Sequence, residues 1–175
     1  MEKIITKIVL TGGPCAGKTT ALVRIIEKFS DLGYLILALP EAATLFNQAG
    51  VNFLTPDKSL FYAAEKSLMS FQMTMEDRFA DIAQAASRPA LIICDRGMMD
   101  ISAYLTEESW QALLDESGLS KVQVRDKRYD AVLHLTTAAK GAERHEDIQF
   151  PPFIKVVEDV TDNKAFYNNS LARKK

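Results

Sequence analysis

The stretch Ile4-Ile5-Thr6-Lys7-Ile8-Val9-Leu10-Thr11-Gly12-Gly13-Pro14-Cys15-Ala16-Gly17-Lys18-Thr19-Thr20 decides the fold. Its first half is a short run rich in Ile and Val, the pattern of a buried strand. Its second half, from Gly12 to Thr19, fits the phosphate-binding pattern G-x-x-x-x-G-K-[ST] without a mismatch. Each part has a physical task. The glycines let successive backbone N–H groups wrap an anion. A helix starting at Lys18 adds partial positive charge beneath it. Lys18 supplies a full charge to the outer phosphates, and the Thr19 hydroxyl can hold Mg²⁺. Gly12, Gly13, Pro14, Cys15, Ala16, Gly17, Lys18, Thr19 and Thr20 are therefore the candidate nucleotide-binding residues. Cys15 reads as a permissive loop position with its side chain turned away, rather than as a reactive thiol.

Beyond the loop, Leu22, Ile25, Ile26, Phe29 and Leu32 recur at helical spacing, and Gly33 sits where a helix C-cap belongs. Residues 34–39 form a second apolar run, closed by Pro40. Strand, loop, helix, strand is the βαβ pattern of a parallel sheet. A short helix is expected over 41–48 and a long one over 59–86. In the long one Phe61, Ala64, Leu68, Phe71, Met75, Phe79, Ile82 and Ala86 follow three- and four-residue steps. Further strands are expected over 90–94, 129–136 and 153–157, and further helices over 106–117 and 162–175. Together they predict an α/β fold: a three-layer α/β/α sandwich around a five-stranded parallel sheet. No repeat, low-complexity tract or linker interrupts the chain, so one domain is expected over 1–175.

The bulk properties agree with that reading and exclude others. The chain has 175 residues, of which 47% are hydrophobic and 25% charged, close to globular averages. Its 21 Lys and Arg against 23 Asp and Glu give a formal net charge of -2, which argues against a nucleic-acid-coating protein. Two cysteines, Cys15 and Cys94, are too few for a disulfide scaffold. No apolar run is long enough to span a membrane, and the first residues lack a signal-peptide pattern. A cytoplasmic protein is expected.

In open parallel sheets, ligands bind beyond the carboxyl ends of the strands. That rule singles out Glu41 after the second strand, and Asp95 and Arg96 after the third. One carboxylate can hold Mg²⁺ and the other can accept a proton from an incoming hydroxyl. Arg96 can neutralise charge on a transferring phosphate. Thr19 and Asp95 are the candidate metal ligands. On the long helix, Gln72 lies at the edge of the apolar stripe, with Arg78 on its other side. Both are candidate substrate contacts, though the ordinary reading as boundary residues is the favoured one. His134 reads as a core or boundary histidine, and His145 has no metal-ligand spacing. The basic end Arg173-Lys174-Lys175 reads as a helix terminus.

Four motifs in order resemble one family: residues 10–20, Pro40-Glu41-Ala42-Ala43-Thr44, Cys94-Asp95-Arg96-Gly97, and His134-Leu135-Thr136-Thr137-Ala138-Ala139. It is the AAA-like ATPase domain family that groups the NadR ribosylnicotinamide-kinase domain with the translocation-defect GTP-binding proteins. The match is closest to the latter branch and covers most of residues 1–143. It implies a P-loop NTPase fold of nucleoside- or nucleotide-kinase-like topology. More distantly, the set resembles deoxynucleoside kinases. That likeness implies Glu41 as general base, Gln72 as reader of a nucleobase, and Asp95 with Arg96 as the acid–arginine pair after the third strand. The chain departs from the family pattern after Glu143, where an arginine- and asparagine-rich lid is shortened or missing around 143–151. Arg144 is then the only nearby arginine for a γ-phosphate.

Two functions follow as expectations. One is an ATP- or GTP-using, Mg²⁺-dependent NTPase or kinase acting on a small molecule. In it Lys18, Glu41, Asp95 and Arg96 would be catalytic. The other is a nucleotide-binding switch acting through a protein or phosphoinositide partner. No N-K-x-D guanine-reading motif is present, and the base remains open between adenine and guanine.

Overall fold

The computed structural model describes residues 4–13 and 15–135, and the backbone of 154–157. The strands are β1 (Ile5–Gly12), β2 (Leu35–Leu39), β3 (Ala90–Asp95), β4 (Ala131–Leu135) and β5 (Ile154–Val157). They form one sheet in the order β2-β3-β1-β4-β5. The α/β fold is as expected, with one difference in strand direction. β2, β3, β1 and β4 pair in parallel, but β5 runs antiparallel to β4, with Ile154 opposite Leu135. An apolar run reports that a segment is a strand, and it carries no sign of direction. Direction depends on the connection through 136–153, which lies outside the described residues. So do Pro14, the Thr136-Thr137-Ala138-Ala139 motif, the lid region, Arg144, His145 and the helix expected over 162–175.

Helices cover both faces of the sheet. They are α1 (Lys18–Asp31), α2 (Ala42–Gln48), α3 (Lys58–Ala85), α4 (Met98–Ile101) and α5 (Glu107–Glu116). Successive strand residues point to opposite faces, and β1 shows this directly. Ile8 and Leu10 pack with Leu22, Ile25, Ile26 and Phe29 of α1. Val9, between them, packs into the larger core with Leu68 and Met69 of α3 and with Trp110, Leu113 and Leu114 of α5. Among the described residues no helix is long and apolar enough to cross a membrane.

The helix ends are chemically defined. The Asp57 carboxylate accepts from the N–H groups of Ser59 and Leu60, which starts α3. Thr106 caps α5 by accepting from the Ser109 N–H. The face that α3 buries differs from the apolar stripe read in the sequence. Phe71 and Ile82 are exposed, whereas Glu65, Gln72 and Glu76 are buried beside Leu68 and Met69. The buried face is shifted by about half a residue step, roughly 60° on a helical wheel, so Ala64 and Leu68 stay buried and Phe61, Met75 and Phe79 stay half-buried. The inward face carries polar groups because it lines a pocket and a buried network.

Candidate functional site

The loop between β1 and α1 is built on unusual backbone. Gly12 has φ 138°, Cys15 has φ 57° and Gly17 has φ 83°. A Cβ on Gly12 would lie 2.2 Å from the Leu135 carbonyl oxygen of β4, so only glycine fits there. Gly13, Cys15, Thr19 and Thr20 are exposed, and Ala16 is buried. The Lys18 Nζ donates to the Gly12 carbonyl at 3.0 Å and to the Gly13 carbonyl at 3.1 Å. A phosphate exchanges these neutral acceptors for charged ones, which form stronger bonds.

The strand ends bring the acids and Arg96 together beside this loop. Arg96 follows β3, and its N–H donates to the Leu10 carbonyl of β1 at 2.9 Å. It is held at φ 68°, a conformation that costs a non-glycine residue about 1–2 kcal/mol. Its side chain explains why the conformation persists. Arg96 Nε donates to Glu41 Oε1 at 2.5 Å, and Nη1 reaches Asp100 Oδ1 at 3.5 Å. The other oxygen of Glu41 accepts from the Thr44 hydroxyl at 2.8 Å.

Asp100 is a site residue that the sequence reading missed. It is buried, accepts from the Thr11 hydroxyl at the end of β1, and accepts from the Gly97 N–H at 2.8 Å. Burial raises its carboxyl above the usual range, against the opposing pull of Thr11, Gly97, Arg96 and Lys18. The signal available in sequence was the spacing Asp95-Arg96-Gly97-x-x-Asp100, which puts a carboxylate within reach of the Gly97 N–H across a turn.

Asp95 lies at the junction of loop and acids. Burial raises its carboxyl, the charge of Glu41 raises it further, and Lys18 and Arg96 pull it back. Its Oδ1 is buried without a hydrogen-bond partner among the described residues. An orphaned carboxylate oxygen under the influence of Lys18 suits a hard divalent cation. Among the described residues no cluster of three or more His, Cys, Asp or Glu forms a metal cage. A Mg²⁺ here would rest on Thr19, Asp95, water and the nucleotide's own oxygens, the usual manner for that ion.

A pocket of about 190 Å³ opens next to this cluster. Glu41, Arg96 and Asp100 line one side, and Glu65, Leu68 and Gln72 of α3 line another, with Phe53 and Tyr104 also on its wall. Gln72 lines this pocket and is buried rather than at a boundary. Arg78 is exposed, pairs with Asp81 at 3.0 Å, and does not line the pocket. His134 is half-buried in β4, and desolvation lowers its pKa to about 4, so it is neutral near pH 7. Cys94 is fully buried, and desolvation raises its thiol well above the ordinary value.

Behind the pocket, Glu76 is fully buried and organises a network the sequence reading also missed. It accepts from Arg128 Nε at 2.6 Å, from the Tyr129 hydroxyl at 2.8 Å and from Gln72 Nε2 at 2.8 Å. Tyr129 in turn accepts from the Met98 N–H at 2.9 Å. The network ties α3 to the turn that carries Arg96.

A profile of the AAA domain family matches residues 7–149. The chain belongs to this family. It is a family of P-loop NTPases, and the loop at residues 12–19 implies nucleotide binding. The AAA domain here also has distant likenesses among solved structures. The APS kinase of Mycobacterium tuberculosis, a cysteine-to-alanine mutant, is 10% identical with a TM-score of 0.39, covering 97% of this chain and 99% of that one. The deoxyadenosine kinase of M. mycoides with bound dATP is 18% identical with a TM-score of 0.36, covering 95% and 86%. Likenesses at that level carry no site assignment. No curated protein matches the sequence significantly.

Glu65 gives the site a measurable pH signature. Burial pushes its carboxyl up to about 7 from an ordinary 4.5. Between those values the folded chain holds a proton that the unfolded chain has released. Stability therefore falls as pH rises from about 4.5 to about 7, by on the order of 2 to 3 kcal/mol, and levels off above. Glu65→Gln is expected to flatten that slope and to be more stable than the parent at about pH 8. Urea denaturation at about pH 5 and pH 8 checks both.

Proposed function

We propose that this AAA domain transfers the γ-phosphoryl group of ATP or GTP to a hydroxyl of a small molecule held in the pocket. The observation that carries the reading is the placement of Glu41. It lines the pocket, paired to Arg96, at the strand ends that also carry the phosphate loop. Lys18 exchanges its loop carbonyls for the outer phosphates. Glu41 accepts the proton of the acceptor's hydroxyl, whose oxygen forms a bond to the γ-phosphorus as the bond to the bridging oxygen breaks. The nucleoside diphosphate leaves. Arg96 faces the same space and offsets the charge that develops on the equatorial oxygens.

The two acids divide the work. Asp95 is absent from the pocket wall and feels the charge of Lys18, which supports a place for it on the metal side with Thr19. Bound Mg²⁺ would supply charge neutralisation to the β- and γ-phosphates. Asp100 holds Arg96 and the turn rather than the reacting atoms.

The experiment is a thermal-shift panel of Mg·ATP, Mg·GTP and their non-hydrolysable analogues, on the parent chain and on Lys18→Ala. A nucleotide at 100 times its dissociation constant adds about 2.7 kcal/mol of stability. A clear upward shift is expected in the parent and little or none in Lys18→Ala. No shift in the parent, or equal shifts in both, removes the nucleotide site.

A further inference from the structure

The α3 side of the pocket wall presents two acceptors without a donor among the described residues, the amide oxygen of Gln72 and the carboxyl of Glu65. Both oxygens of Glu41 and both of Asp100 are engaged with Arg96, Thr44, Thr11 or the Gly97 N–H. The amide of Gln72 is turned by its neighbours. Its Nε2 donates to Glu76 Oε1 at 2.8 Å and to the Arg96 carbonyl at 3.3 Å. Both partners can only accept, since Glu76 is the counter-ion of Arg128. The amide orientation is therefore fixed, and the oxygen of Gln72 is left with no donor among the described residues.

Glu65 is the second free group. It lines the pocket, is 2% exposed, and its Oε2 has no hydrogen-bond partner among the described residues. An uncompensated buried carboxyl is costly, and persists where a ligand completes it. Glu65 and Gln72 are two turns apart on one face of α3, about 10 Å along the axis. A ligand lying along α3 spans both.

We propose that Glu65 is a specificity residue, and that the molecule this pocket takes carries an amino or cationic nitrogen that donates to the Glu65 carboxyl. The assignment rests on the pocket being the acceptor site. Where Glu65 is ionised, at about pH 8, it selects a hydroxylated amine, or an amino-bearing base or ring, over acceptors with a carbonyl or an anionic group at that place. The physical basis is the asymmetry of buried recognition. A ligand without the donor leaves Glu65 unpaired, which discriminates more strongly than shape does.

Matched nucleosides provide the probe, because adenosine and inosine, or cytidine and uridine, exchange an amino group for a carbonyl at one position. Binding of all four to the full chain is measured calorimetrically at about pH 8, where Glu65 is ionised, with the non-hydrolysable nucleotide present. Glu65→Gln and the volume-matched Glu65→Met are run alongside, so that misfolding of one leaves the other. The expected result is an amino member bound at least tenfold tighter than its carbonyl partner, with the ratio falling to within threefold in the variants. Absence of a preference, a preference unchanged in the variants, or no binding of any probe overturns the assignment. Transfer is read separately as diphosphate formation. Selective binding without transfer defeats the kinase reading and leaves Glu65 in place; transfer without selectivity does the reverse.

Discussion

Glu41→Gln is expected to retain nucleotide binding and to slow phosphoryl transfer by about 10²- to 10⁴-fold, the usual contribution of a positioned general base. The substitution is close to isosteric. Its amide oxygen can still accept from Arg96 Nε or from the Thr44 hydroxyl, and the side chain is about a third exposed, so the fold tolerates it. What is lost is basicity at the pocket wall. Asp95→Asn is expected to fail differently. With Asp95 in its proposed place on the phosphate side, its loss is expected to raise the Mg²⁺ concentration needed for turnover, and added Mg²⁺ to restore part of the rate. Steady-state rates over a Mg²⁺ series separate the two. Partial rescue of Glu41→Gln but not of Asp95→Asn would reverse the roles given to the two acids.

Glu76→Ala is expected to cost about 3–5 kcal/mol of stability, a large part of the 5–15 kcal/mol typical of a domain. Glu76 is fully buried and is the shared acceptor for Arg128, Tyr129, Gln72 and, at 3.5 Å, Lys7. Removing it leaves the Arg128 guanidinium largely buried without its main counter-ion, and the Tyr129 hydroxyl without its acceptor. The penalty comes from those stranded partners more than from the lost bonds. Burial raises the Tyr129 hydroxyl's pKa well above its ordinary value, so the tyrosine cannot ionise to compensate. Denaturant midpoints of the parent and Glu76→Ala measure the difference. A loss below about 1 kcal/mol would show that the network relaxes around the gap. Glu76→Gln keeps an acceptor and is expected to cost less than the alanine.

The parts of this molecule written in local sequence were readable. The phosphate loop combines steric glycines, a lysine and a hydroxyl at fixed spacing, and its physics is contained within eight residues. The four parallel strands announce themselves as short apolar runs, and the strand-end rule then points to Glu41, Asp95 and Arg96. The unread parts depend on tertiary contact. The phase of α3 is not legible in the sequence, because Phe71 and Ile82 fit an apolar stripe better than Gln72 and Glu76 do. Which face turns inward is decided by the Arg128 and Tyr129 partners, more than fifty residues on. Asp100 and Glu65 are not legible for a related reason. An acid on a helix reads as solvated surface until the fold shows that it faces a pocket. The direction of β5 is set by a connection whose route no apolar pattern encodes.

Phosphoryl transfer by this AAA domain onto a hydroxyl held beside Glu41 can be read directly from its products. The direct test incubates the full chain with Mg²⁺ and ATP or GTP radiolabelled at the γ-phosphate, together with amino- and carbonyl-bearing nucleosides, and separates the products. Label is expected in a phosphorylated nucleoside, lost in Lys18→Ala and strongly reduced in Glu41→Gln. Label found only in nucleotide or inorganic phosphate, with nucleotide binding intact, would contradict phosphoryl transfer and leave the chain a nucleotide-binding switch.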